Sequence, residues 1–289
     1  MNYGAIVFLA GFLALSGSWF GMVLVPQLQV GRQDQSTNSV NGSLYPSRRP
    51  GMAEQGAQVY RANGCVACHS QQVRQDGIVF DVGLNEVGTN RAAVVAALKA
   101  INSKLDETGL GALPSDILHG VDKHVADAAA KAFKETGAKI DVRVRPTGPD
   151  IERGWGHRGN VGQDYLQDTP VLIGSQRLGP DLANVGLRKP DAAWHLKHLY
   201  APTSEVPGST MPSYRFLFEK RKIGRQPSPN ALNLTGALAP EAGYEVVPTE
   251  KALELVAYLQ SLQSDAPLFE APMTVAAAPA NAATNAPAK

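Results

Sequence analysis

Cys65, Cys68 and His69 carry the chemistry most easily read from this chain. They form a Cys-x-x-Cys-His run, and these are the only two cysteines among 289 residues. The spacing is the attachment signature of a c-type haem: the two thiols form thioethers with the vinyl groups, and the adjacent imidazole binds iron through Nε2. Two cysteines cannot build a disulfide scaffold. A zinc site would need further ligands, and no second cysteine pair supplies them. The run also lacks the strand-to-helix setting of a thiol redox pair. One such motif predicts one covalently bound haem c.

An electron carrier with little reorganisation needs a sixth iron ligand. Met1 and Met22 fall in the apolar start of the chain, Met52 precedes the motif, and Met273 lies in a loose tail. Met211, directly before Pro212 in a loop between the motif and the last helix, is the remaining methionine. His157, His195 and His198 are its rivals, although His195 and His198 beside Trp194 also read as packing residues. The haem carboxylates call for arginine, whose planar fork matches them; Arg177 comes first, with Arg74 and Arg158 as alternatives. Pro180 offers a carbonyl that can accept from the ligating imidazole, fixing the ring and strengthening its donation.

These side chains need elements to position them. Gly56, Val59 and Tyr60 share one face of a helix expected over about 52–62, which stops near Asn63-Gly64 just ahead of Cys65. Thr249 opens a second amphipathic helix running to about Leu262, with Leu253, Val256, Ala257 and Leu259 on its apolar face. Asp191 introduces a helix to about Tyr200. Between these, 146–190 is rich in Gly, Asn, Asp and Pro and reads mostly as loop. Residues 88–104 and 114–136 read as helices, separated by Gly109 and Gly111, and alternating Ile140, Val142 and Val144 suggest a short strand or extended edge. This stretch has no catalytic signature and reads as a helical elaboration.

From Tyr3 to Val25 no residue is charged, and at 1.5 Å per residue the run makes about 34 Å of helix, enough to cross a bilayer core of roughly 30 Å. The run exceeds the usual signal-peptide core and has no basic residue before it, which favours a retained anchor. Gly17 and Gly21 form a Gly-x-x-x-Gly face suited to helix packing in lipid. The chain then divides into an anchor (1–25), an extended linker or strap (26–50), a haem domain (51–266) and an Ala/Pro-rich flexible tail (267–289). Hydrophobic residues make up 44% and charged residues 18%, with a formal net charge of +1, so neither a polytopic membrane protein nor an electrostatic nucleic-acid binder is indicated. Thioether attachment takes place outside the bacterial cytoplasmic membrane. The amino terminus is therefore expected in the cytoplasm and the haem domain in the periplasm, anchored to the inner membrane.

The run Gly64-Cys65-Val66-Ala67-Cys68-His69-Ser70-Gln71-Gln72-Val73-Arg74, after Gln58-Val59-Tyr60, resembles the membrane-anchored monohaem cytochrome c subunit (CcoO or FixO, subunit II) of cbb3-type cytochrome c oxidases. Further segments agree in order: Arg153-Gly154-Trp155-Gly156-His157, the stretch from Gly174 through Gly179-Pro180-Asp181-Leu182 to Gly186, Trp194-His195-Leu196-Lys197-His198-Leu199, Val206 through Met211-Pro212 to Tyr214, and Leu255 to Leu259. The resemblance implies a mostly α fold, with one membrane helix followed by a periplasmic class I-like cytochrome c domain. It implies covalent haem at Cys65 and Cys68, axial His69 and Met211, and helices crossing where Gly56 and Tyr60 meet Tyr258. It also implies partners: a polytopic haem b/copper catalytic subunit, a dihaem cytochrome c subunit, and a soluble or membrane-bound c-type cytochrome as donor. Electrons would pass from c-type cytochromes through this haem to the catalytic subunit, where oxygen is reduced, so the chain itself is a redox subunit with no catalytic acid, base or nucleophile. The stretch from about 81 to 150 departs from the family and reads as an insertion. Alternatives on the same cofactor are a subunit of another haem–copper reductase, such as nitric oxide reductase, an anchored electron shuttle, and a haem-based gas sensor.

Overall fold

The uncharged run that opens the chain folds as one helical rod: α1 (Gly4–Trp19), a wider π turn (Phe20–Leu24) and α2 (Val25–Val30). The protein is described by a computed structural model, which covers residues 3–31, 34–38, 42–101 and 113–266. Gly4–Gln29, 26 residues, is long and apolar enough to cross a membrane. Its side chains are exposed almost throughout. The linker expected from residue 26 therefore starts later, because Pro26 sits inside the helix. A proline ring crowds the carbonyl four residues back and offers no N–H; the π turn immediately before it widens the helix where the regular bonding would fail.

The rest is predominantly helical with small sheets, and its described residues divide into two compact units, one built from those up to 73 with 154–266 and the other from those in 74–153. In the first unit, β1 (Ser36–Thr37) and β2 (Leu44–Tyr45) form a two-residue antiparallel pairing. The strap is clamped at and just after β2: the Tyr45 hydroxyl donates to Asp164 at 2.7 Å, and Arg49 forms an ion pair with Asp168. Helices α3 (Gly51–Ala62) and α10 (Glu250–Ser261) then form the centre of the core. Ala53, Gly56, Val59 and Tyr60 of α3 are buried at spacings of three and four, against Leu255, Val256, Tyr258 and Leu259 of α10. The rings of Tyr60 and Tyr258 lie 5.2 Å apart, tilted at 55°. Gly56 lets the backbones meet, since a Cβ there would stand 2.8 Å from that of Tyr258 and overlap the Glu254 carbonyl.

Helix α8 (Ala192–Tyr200) starts where Asp191 accepts from the amides of Ala193 and Trp194, at 3.0 and 3.3 Å. Short α7 (Val185–Arg188) and α9 (Pro202–Glu205) flank it. Strands β6 (Phe218–Lys222) and β7 (Tyr244–Pro248) form an antiparallel pair that the local sequence pattern does not announce.

The second unit departs most from the helical elaboration expected there. Its centre is an antiparallel sheet in the order β4 (Ser115–Val121), β3 (Gly77–Glu86), β5 (Lys139–Thr147), with α4 (Arg91–Ile101) and α5 (Lys123–Thr136) supplying the helical side of its core. Phe80, Val82 and Leu84 of the central strand pack with Val94 and Leu98 of α4 and with Ala126, Ala129 and Phe133 of α5. The helix expected over 114–136 is thus a strand followed by a helix. Ile117 and Leu118 are both buried, β4 pairs with β3, and the Gly120 amide donates to Asp81 at 2.7 Å. The helix proper begins only after Asp122. The expected Gly109–Gly111 break and the 267–289 tail lie outside the described residues. A short α6 (Pro149–Glu152) closes this unit.

Candidate functional site

Cys65 opens a single 3-10 turn (Cys65–Ala67) directly after α3, and the His69 amide returns to the Cys65 carbonyl at 3.0 Å. Neither cysteine is in a disulfide; Cys65 is buried and Cys68 partly so. Burial pushes the Cys65 thiol up to about 11.

A backbone ladder fixes the strip around the motif. Ser175 donates to the Val66 carbonyl at 3.0 Å, Gly179 to Cys68 at 2.9 Å, Leu182 to Ser70 at 2.8 Å, and Gln71 to Ile173 at 2.8 Å. The Asp181 side chain, fully buried, joins the two strips: it accepts from Ser70 Oγ at 2.6 Å, from the Gln72 amide at 2.7 Å and from the Ala183 amide at 2.8 Å. The Tyr258 hydroxyl donates to Gln71 Oε1 at 3.0 Å, tying the same strip to α10. Gly179 lies flat against the His69 ring, where any Cβ would collide with the imidazole.

His69 Nδ1 is 2.8 Å from the Pro180 carbonyl, which accepts its hydrogen bond. That bond directs Nε2 the other way. Burial lowers the pKa of His69, and the Pro180 carbonyl opposes the shift. A neutral imidazole with Nδ1 engaged is the form that ligates a metal through Nε2.

One cavity of about 500 Å³ collects these groups, within the roughly 300–1,000 Å³ usual for cofactor sites. Cys65, Cys68, His69 and Met211 all line it, with Leu182, Leu199, Leu255 and Leu259 among the apolar walls. Met211 is partly buried against the main core, and its amide donates to Ser209 Oγ at 3.3 Å.

The arginines singled out from sequence are placed elsewhere. Arg158 is held by both oxygens of Asp164, at 2.8 and 3.0 Å. Arg177 hydrogen-bonds the Gln72 carbonyl and stands 4.0 Å from Asp181. Arg74 is exposed and falls in the second unit. The cationic side chains lining the cavity are Arg188 and Lys189. Arg188 donates to the Asp181 carbonyl while its buried Nε has no partner among the described residues, and burial lowers its pKa. Sequence reasoning does not single out Arg188, because its distance from Pro180 along the chain does not set it apart from Arg177.

The rival histidines separate as clearly. His157 pairs with Asp265 at the surface. His195 is buried, with Nε2 2.7 Å from the Lys189 carbonyl. His198 lines the cavity. Gly17 and Gly21 have nothing within 4 Å of where a Cβ would stand, so any helix packed on them is not from the described residues of this chain.

The residues present fit a haem. An apolar cavity is bordered by two thiols, an imidazole with its outer nitrogen engaged, a thioether and an arginine with a free buried N–H.

Residues 141–236 match the FixO family, the mono-haem subunit of cytochrome C oxidase. That segment contains Pro180, Arg188, α8 and Met211; the Cys65–His69 run precedes it. The match supports a general electron-transfer role in a multi-subunit complex of the haem–copper oxidase type, and the family's name describes a haem-binding subunit. A different similarity also runs through the chain. It is 30% identical over 97 residues to the large ribosomal subunit protein bL12 of Histophilus somni, covering 30% of this chain and 75% of that protein. It is 38% identical over 73 residues to the bL12 of Cupriavidus metallidurans, covering 22% of this chain and 54% of the relative. At the first of these coverages the chain belongs to the bL12 family over that stretch, which makes up less than a third of its length, beside a segment similar to FixO.

Proposed function

We propose that the chain is the membrane-anchored monohaem electron-transfer subunit of a cbb3-like haem–copper oxidase. One observation carries the reading: a single cavity is lined by Cys65, Cys68, His69 and Met211, with His69 Nδ1 fixed by Pro180. When bound, haem c would supply reversible one-electron exchange. Cys65 and Cys68 would hold it covalently, His69 and Met211 would hold its iron, and in this reading the domain built on α3, α8 and α10 is class I-like. Arg188 would answer the negative carboxylate side of the group. Pro180 and Gly179 hold the His69 ring at a fixed orientation, which would limit reorganisation during electron exchange. The leucine walls exclude water. In this reading electrons come from c-type cytochromes, with a dihaem subunit as companion, and leave for a polytopic haem b/copper subunit in the inner membrane. The amino terminus lies in the cytoplasm and the haem domain in the periplasm.

The test uses the full-length chain matured with haem. Haem should stay with the polypeptide on a denaturing gel and be lost from it in Cys65→Ala/Cys68→Ala. Met211→Ala should keep the haem bound while abolishing the near-infrared methionine-to-iron band and lowering the midpoint potential. A wild-type chain free of covalent haem after maturation would overturn the assignment, and an unchanged near-infrared spectrum in Met211→Ala would remove Met211 from it.

The bL12-like stretch is, in the same proposal, the unit spanning 74–153. The 30% of 289 residues covered is about 87, close to that unit's length, and the unit has its own sheet and core. Residues 74–153 expressed alone should unfold in one cooperative transition. A featureless, non-cooperative profile would count against that placement.

A further inference from the structure

His198 has no role so far, and it occupies an unusual place. It lines the cavity, yet its Nδ1 atom is buried without a hydrogen-bond partner among the described residues. A buried ring nitrogen left unpaired costs roughly 1–3 kcal/mol, so such atoms point to a group that completes them. Its ring is not free to turn away. It stacks on Trp194 one helical turn earlier, centroids 4.8 Å apart and planes 8° from parallel, and Lys189 Nζ sits 4.9 Å over that indole.

The neighbouring polar groups do not compete for this nitrogen. His195 is engaged by the Lys189 carbonyl, and Glu205, also on the cavity wall, is paired with Lys197 at 2.7 Å. Arg188 contributes a buried N–H without a partner to the same cavity. With its proton on Nδ1, His198 would add a second donor to that wall, and two such donors suit an anionic acceptor far better than an apolar one.

We propose that His198 donates from Nδ1 to a carboxylate of the prosthetic group, so that the Trp194–His198 stack is a contact to that group rather than core packing. This rests on the function proposed above. A carboxylate bound by a donor has its negative charge partly neutralised. Removing the donor leaves more negative charge near the iron, favours the oxidised state and lowers the midpoint potential.

His198→Phe keeps an aromatic ring on Trp194 and removes the N–H. His198→Asn loses the stack and places an amide N–H close to the Nδ1 position. Redox titration of the haem-loaded full chain in detergent should give a lower midpoint potential for His198→Phe and a value near wild type for His198→Asn. A mere packing role predicts the reverse order, with Phe tolerated and Asn perturbed. An unchanged potential in His198→Phe would overturn the proposal. Should that variant fail to accumulate, nitrogen-15 NMR of the reduced wild-type protein decides: the proposal requires the proton on Nδ1 of His198, and a bare Nδ1 refutes it. Absence of covalent haem from the wild type would instead defeat the function on which this inference stands.

Discussion

At the scale of single residues, the buried Asp181 is the side chain that ties the strip after the cysteines to its neighbouring loop. Its two oxygens accept three hydrogen bonds that join the strip after the cysteines to the loop carrying Pro180. Asp181→Asn preserves shape but turns one acceptor into a donor facing a donor. The expected cost is about 1–3 kcal/mol, read as a lower urea midpoint with unchanged m-value. Arg188 and Arg177 make a contrasting pair. Arg188→Gln should shift the midpoint potential of the haem-loaded protein, whereas Arg177→Gln, removing a bond to the Gln72 carbonyl, should alter stability and leave the potential in place. The cysteines, His69 and Met211 could be picked out from sequence because their chemistry needs those atom types. Arg188 could not be ranked above Arg177, because both follow Gly-rich stretches and only the folded loop decides which guanidinium reaches the cavity.

At the scale of elements, the α3–α10 crossing is held by the absence of a side chain at Gly56. Gly56→Ala must push the helices apart at the Glu254 carbonyl. Overpacking of this kind costs about 1–3 kcal/mol, and the thermal midpoint of the variant should fall accordingly. Helices α3, α8 and α10 were legible because apolar spacing and the caps Asp191 and Thr249 agree. The second unit misleads for a physical reason. Ser115–Val121 offers only Ile117, Leu118 and Val121 as apolar members and abuts a true amphipathic helix, and periodicity alone cannot separate so short a strand from one turn of helix. Strand β3 escapes a local pattern because its identity depends on partners, β4 and β5, that lie far along the chain.

At the scale of the whole molecule, two units with separate cores should respond separately to acid. In the unit built on β3, the Arg145 guanidinium and the Gly120 amide hold the Asp81 carboxyl below its ordinary value. The charged form is favoured by folding, so this contribution is present at neutral pH and is lost as pH falls from about 4 through the depressed value. Urea midpoints of residues 74–153 should therefore drop between pH 5 and pH 3 by more in the wild type than in Asp81→Asn; equal drops would refute the assignment. The clamped strap has a consequence of another kind. Ser36 pairs with Tyr45, which is bolted to Asp164, and Ser36 stands only five positions beyond Gly31 at the helix end. Five residues reach at most about 18 Å. If the helix crosses a bilayer, such a leash confines the cavity to a thin layer above the lipid surface. Encounters with a neighbour in the same bilayer then become a matter of lateral geometry rather than bulk dilution, and lengthening the leash should slow them without touching the site.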